Sequence, residues 1–145
     1  MKIREEALRK WAENDLVMTS LDDGAYDAAF TYRASTCRNG GTEFDSVVRV
    51  KLQPENSDWR IVDVAVEIDS EDPGWRETCI HESSADPNPK HLAKHSQARG
   101  MLVNEFLERE WPTDNAGCYC TSIHLNHKLI LALSTARYWI NHYTK

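Results

Sequence analysis

Residues 26–33 read Tyr-Asp-Ala-Ala-Phe-Thr-Tyr-Arg, residues 44–52 read Phe-Asp-Ser-Val-Val-Arg-Val-Lys-Leu, and residues 62–69 read Val-Asp-Val-Ala-Val-Glu-Ile-Asp. In each stretch one set of alternate positions is mainly apolar, and the polar residues gather at the other set. Since successive side chains of a strand point to opposite faces, this pattern is typical of an antiparallel sheet with one covered face. Residues 38–41 and 54–58 have the composition of hairpin turns. The stretches therefore predict a three-stranded meander.

Helices are predicted on both sides of this meander. Apolar residues recur at helical spacing in residues 3–11, 90–110 and 121–143. Residues 69–89 are polar, contain three prolines and show no period, which predicts a long loop. Strands followed by helices indicate an α+β fold with helices on one face of the sheet. We expect a single domain, residues 1–145, with a three-stranded antiparallel sheet, an N-terminal helix and two long C-terminal helices.

Composition bounds the function. The 145 residues carry 17 basic and 23 acidic side chains, a net charge of −6, and 41% are hydrophobic. A core of this size needs neither disulfide nor metal to be stable, and the acidic balance argues against a general nucleic-acid binder. No apolar run follows the N-terminus, and the longest one, residues 129–133, is too short to cross a bilayer. We expect a cytoplasmic protein that binds neither nucleic acid nor membrane.

The four cysteines lie at the ends of predicted elements. Cys37 follows the first predicted strand, Cys79 lies in the long loop, and Cys118 and Cys120 precede the last helix. In a meander the first and third strands end at the same edge, so these thiols can meet there. Thiolates suit zinc, iron or an iron–sulfur cluster, and four of them close a tetrahedral site. The open alternative is that the cysteines are packing or incidental residues.

Histidines accompany the cysteines. His81 lies two residues after Cys79 and is a further candidate ligand. If the last helix begins near Cys120, His124 and His127 fall at i+4 and i+7 along one face, where they are candidate acid/base residues or ligands. A thiol at a helix N-terminus also has a depressed pKa and is a better nucleophile or ligand. The plain alternative for both histidines is a solvated helix face.

The positions of these cysteines resemble those of the IscU/NifU scaffold and its SufE-like fold. The three cysteine motifs of that family fall on Thr36-Cys37-Arg38-Asn39, Thr78-Cys79-Ile80-His81 and Tyr119-Cys120-Thr121-Ser122-Ile123. The resemblance spans nearly the whole chain in element order but only short stretches in residues. It implies an IscU/SufE-like fold and an iron–sulfur or metal site at Cys37, Cys79 and Cys120.

A second resemblance is to an uncharacterised bacterial domain family with a Gly-Cys-Thr-His-Leu motif. Gly117-Cys118-Tyr119-Cys120 is similar to that motif, Asp23-Gly24 to the start of the family's first strand, and Ile61-Val62-Asp63-Val64 to its third strand. The family's histidine falls on Cys120. Both residue types are zinc and iron ligands, so the exchange is compatible with a metal-binding position.

Three functions fit these observations. The first is a scaffold or carrier whose thiols hold zinc, iron or a labile cluster and hand it on. The second is a metal-dependent enzyme on a small-molecule substrate, with His124 or His127 as acid/base. The third is a sulfur relay in which one thiolate accepts a persulfide. The expected partners are a small molecule or a sulfur- or iron-donor protein.

Overall fold

The computed structural model describes residues 3–35, 43–68, 96–111 and 122–144. A four-stranded antiparallel sheet with strand order β1-β2-β3-β4 carries helices, which confirms the predicted α+β class. The elements in chain order are α1 (Glu5–Asn14), β1 (Leu16–Ser20), β2 (Tyr26–Ser35), β3 (Glu43–Glu55), β4 (Asp58–Ile68), α2 (Val103–Glu108) and α3 (Ser122–Tyr143).

The prediction of three strands was wrong, because β1 precedes them at the edge of the sheet. This strand pairs with β2 from Leu16 opposite Phe30 to Ser20 opposite Tyr26. Leu16 is buried, whereas its neighbour Val17 is 64% exposed. A five-residue edge strand with an exposed valine at an outward position lacks the alternation that marks the other strands, so the pattern does not predict it.

A bulge in β4 changes which residues reach the core. Opposite Lys51 and Leu52 of β3, the register shifts, so that Leu52 pairs with Ile61 and Lys51 with Asp63. Val62 is the extra residue and is 37% exposed, while Ile61 is fully buried. The alternation in the sequence had grouped Val62 with the apolar positions, because sequence periodicity alone does not indicate an inserted residue.

The predicted second hairpin is confirmed. Glu55 pairs with Asp58 across a two-residue turn. Asn56 and Ser57 both have positive φ, 50° and 64°. Two consecutive left-handed residues make a type I′ turn, which matches the right-handed twist of the flanking strands. The first predicted hairpin turn, residues 38–41, lies outside the described residues.

One face of the sheet forms the core, and the three helices of the described residues all contribute to it. Trp11 of α1 packs edge-on against Phe30 of β2, with ring centres 6.1 Å apart. Phe106 of α2 and Leu129 of α3 are fully buried in the same cluster as the inward residues of the strands. The predictions of an N-terminal helix and of a long last helix are therefore confirmed. Within the described ranges, no helix combines the length and apolarity that a membrane crossing requires.

The predicted long helix over residues 90–110 was wrong for most of its described part, since only Val103–Glu108 is helical. Gly100 adopts φ +88°, in the left-handed region. Its N–H donates to the carbonyl of Ile61 at 2.7 Å, and the N–H of Ile61 donates to the carbonyl of Met101 at 2.8 Å. The backbone of this segment thus forms hydrogen bonds with the N–H and carbonyl groups of Ile61 at the edge of β4. Residues 69–95, including the predicted loop, lie outside the described residues.

Candidate functional site

Helix α3 runs antiparallel to β2. Near the start of the helix, Lys128 places its Nζ 4.6 Å from the centre of the Tyr32 ring, close to the end of β2. Further along, Trp139 packs edge-on against Tyr26, the first residue of β2, with ring centres 5.7 Å apart. The first turn of α3 therefore lies toward the end of β2 at Ser35.

Strands β3 and β4 reach the same end of the sheet. Ser35 pairs with Glu43, the first residue of β3. One layer further in, Tyr32 pairs with Ser46, and Ser46 pairs with Ile68, the last residue of β4. We call this region, bounded by Ser35, Glu43, Ile68 and the first turn of α3, the Ser35 end of the sheet.

The residues predicted to bind a metal lie outside the described residues. These are Cys37, Cys79, His81, Cys118 and Cys120. Cys37 follows Ser35 by two residues, and Cys120 precedes Ser122 by two residues. In the part of the chain that the structure describes, no group of three His, Cys, Asp or Glu side chains could hold a metal ion.

The two predicted acid/base histidines both belong to α3. His124 lies in its first turn, and its side chain is outside the described part of the chain. His127 lies one turn later, and its buried Nδ1 has no hydrogen-bond partner among the described residues. Burial lowers the pKa of His127, and the charge of the neighbouring Lys128 lowers it further. His127 is therefore neutral at pH 7, the form in which an imidazole binds a metal or accepts a proton.

A polar layer lies under the start of α3, on the otherwise apolar face of the sheet. Tyr32 and Ser46 face each other across β2 and β3. The Ser46 hydroxyl donates to the carbonyl of Glu67 at 3.0 Å. Burial raises the pKa of Tyr32 well above its ordinary value, and a hydrogen bond with Ser46 opposes this only in part. The phenol is therefore protonated at every physiological pH.

Lys128 covers this layer. Burial lowers the pKa of Lys128. The ammonium group lies over the ring of Tyr32, where the negative face of the aromatic system attracts a cation. The sequence patterns did not predict a role for Tyr32, Ser46 or Lys128. The sequence feature that could have indicated this layer is the pair Tyr32 and Ser46, two residues with hydroxyl groups at inward positions of neighbouring strands.

No protein-family model, curated protein or solved structure matches this chain. The resemblance to the IscU/NifU scaffold therefore remains a prediction.

Proposed function

We propose that the chain is a metal-binding protein whose cysteines form one thiolate site at the Ser35 end of the sheet and that it acts as a scaffold or carrier. The ligands are Cys37, Cys79 and Cys120, with Cys118 as the fourth. His81 and His124 are the substitutes if one thiol is not used. The observation that supports this proposal is the antiparallel course of α3 against β2.

The contact between Lys128 and Tyr32 provides a reference point for distances along both elements. From Lys128 back to Ser122, six residues of helix span about 9 Å. From Tyr32 on to Ser35, three residues of strand span about 10 Å. The start of α3 and the end of β2 thus extend a similar distance beyond the contact, which supports their being neighbours at the Ser35 end.

The lengths of the linking chain are compatible with convergence. A residue spans at most about 3.6 Å, so the two residues from Ser35 to Cys37 cover no more than about 7 Å. The same limit holds between Cys120 and Ser122. Cys79 follows Ile68 by eleven residues, which is enough chain to return to the same place. None of the three therefore needs to be far from the others.

The chemistry of the donors favours a soft metal. Thiolates select zinc, iron or iron–sulfur clusters over magnesium or calcium. His127, neutral and with an uncommitted Nδ1 among the described contacts, adds an imidazole instead of a repelling cation near this end. The arrangement of one helix before the sheet and others after it supports a fold of the IscU/SufE type, here with a fourth strand.

A metal-dependent enzyme is the second candidate, and His127 favours it. An imidazole that stays neutral at pH 7 and has a buried, unpartnered nitrogen in the described contacts is suited to accept a proton from a metal-activated group. In that case His127→Gln lowers turnover and leaves the metal content unchanged. In a carrier, the same variant changes neither metal content nor the rate of metal transfer to a chelator.

The experiment is elemental analysis and absorption spectroscopy of protein purified without oxygen. We expect about one metal ion or one cluster per chain, with colour only for an iron–sulfur cluster. Cys37→Ser and Cys120→Ser should each remove most of the metal, while the control Ser35→Ala retains it. Metal-free protein, together with four Cys→Ser variants of unchanged stability, contradicts the proposal.

A further inference from the structure

A groove of about 970 Å³ opens where α1, α2 and α3 meet. This volume is at the upper end of the range for small-molecule sites, about 300–1,000 Å³. Leu107 of α2 and Ile130 of α3 supply apolar lining, and both side chains are only partly buried by the core. None of its described lining residues bounds the Ser35 end or belongs to the proposed metal ligands.

Arg137 brings to the groove a positive charge that no described carboxylate pairs with directly. Its Nη1 donates to the amide oxygen of Asn104 at 2.5 Å, which orients the guanidinium. An amide oxygen carries no net charge, and across the described ranges no carboxylate forms an ion pair with Arg137. By contrast, Arg49, Arg60, Arg99 and Arg109 all face carboxylates. A forked guanidinium held in this way is preorganised to bind a carboxylate or sulfonate.

A fixed aromatic wall lies on the same groove. Trp111 stacks on Phe106 with ring centres 4.7 Å apart, and its Nε1–H donates to the Phe106 carbonyl at 2.8 Å. Arg109 lies 5.2 Å from the Trp111 ring centre. Tyr138 lines the groove beside Arg137. A flat ligand can stack on such a ring, and because the ring is already held in place, little conformational entropy is lost on binding.

The acidic residues at the groove limit the charge of the ligand. Glu108 and Glu110 are exposed and also line the groove. Their negative charges oppose a multiply charged anion, and Arg109 is already shared with Glu105 at 4.0 Å. One guanidinium remains for one negative charge. We propose that the groove binds a small monoanion with a flat apolar body, such as an aromatic carboxylate or sulfonate.

The test is calorimetric titration of the full chain with 2-naphthoate and with 2-naphthalenemethanol, its uncharged counterpart. We expect saturable naphthoate binding at one site and weaker binding of the alcohol. Arg137→Gln should weaken naphthoate binding about tenfold, in line with the loss of one charge-assisted hydrogen-bonding partner, and leave the alcohol unaffected. The control is Arg49→Gln, the same change on the outer face of the sheet, which should leave both ligands unaffected.

Two results would overturn the proposal. In the first, the unmodified protein does not bind naphthoate, or binds it no more tightly than the alcohol; this result requires no variant. The other is equal weakening by Arg137→Gln and Arg49→Gln. Chelator treatment beforehand should not change the naphthoate affinity. Failure of the metal-site proposal and failure of the groove proposal can therefore be distinguished.

Discussion

Lys128 of α3 holds its ammonium nitrogen 4.6 Å from the centre of the Tyr32 ring of β2. This contact fixes which end of the long helix meets which end of the sheet. The start of α3 and the ends of β2 and β4 are consequently directed to one region. The proposed cysteine site depends on that relationship.

A double-mutant cycle on Lys128 and Tyr32 measures the contact. Lys128→Met removes the charge and Tyr32→Leu removes the ring, so the cycle isolates their interaction. We expect a coupling of about 0.5–2 kcal/mol in the free energy of unfolding, the range for a cation over an aromatic ring. The matched cycle uses Tyr26→Leu with Lys128→Met and should give no coupling, because Tyr26 contacts Trp139 at the other end of β2. Coupling to Tyr26 and none to Tyr32 would mean that α3 runs in the opposite direction.

Acidification should destabilise the protein through His127. Burial, followed by the charge of Lys128, lowers the folded-state pKa of this residue below its ordinary 6.5. Between the two values the unfolded chain binds more protons than the folded chain, so the free energy of unfolding falls as pH drops through 6.5. Urea unfolding at pH 7.5 and pH 5 should therefore show that the free energy of unfolding falls less between these pH values in His127→Gln than in the unmodified chain. The exposed His142 provides the control, and an equal effect of His142→Gln would show that burial of His127 is not the cause.

The bulge in β4 makes two neighbouring residues differ sharply in their contribution to stability. Ile61 is fully buried and Val62 is 37% exposed. Ile61→Ala should therefore lower the free energy of unfolding by about 2–5 kcal/mol, the usual cost of truncating a buried aliphatic side chain. Val62→Ala should change it by no more than about 0.5 kcal/mol. Chemical denaturation measures both changes. A larger loss of stability for Val62→Ala than for Ile61→Ala would instead indicate the unbulged register, in which Val62 faces the core.

The hairpin between β3 and β4 should be stabilised by glycine. Ser57 adopts φ 64°, where an L-residue with a side chain is strained. Ser57→Gly relieves this strain at some cost in chain entropy, so we expect a net gain of about 0.5–1 kcal/mol and a higher Tm. Asn56→Gly should gain less, because asparagine tolerates the left-handed region. A lower Tm for Ser57→Gly would argue against the type I′ turn.

The strands that the sequence predicted are those in which burial on one face leaves a period of two. The inward residues Ala28, Phe30, Val48 and Val50 are all buried. That pattern fails where the backbone departs from regularity. The extra residue at Val62 shifts the phase, and the short β1 exposes Val17. Local sequence does not indicate either feature, since each is decided by pairing with a neighbouring strand.

The helix predicted over residues 90–110 fails at residues 96–102 for a related reason. Its apolar spacing is real, but Gly100 turns the chain so that its backbone pairs with Ile61 on the edge of β4. Long-range pairing of this kind overrides local helical preference. The layer of Tyr32, Ser46 and Lys128 was equally hidden, because it forms only when the register of β2 and β3 and the placement of α3 are known.

The number and identity of the atoms bound to the metal decide whether the cysteines form one site. X-ray absorption fine structure of the anaerobically purified, metal-loaded protein reports both. For zinc, we expect three or four sulfur neighbours at about 2.3 Å in the unmodified protein, and one fewer around the residual zinc that Cys37→Ser and Cys120→Ser each retain. A shell made only of oxygen and nitrogen at about 2.0–2.1 Å, unchanged in both variants, would contradict the thiolate site.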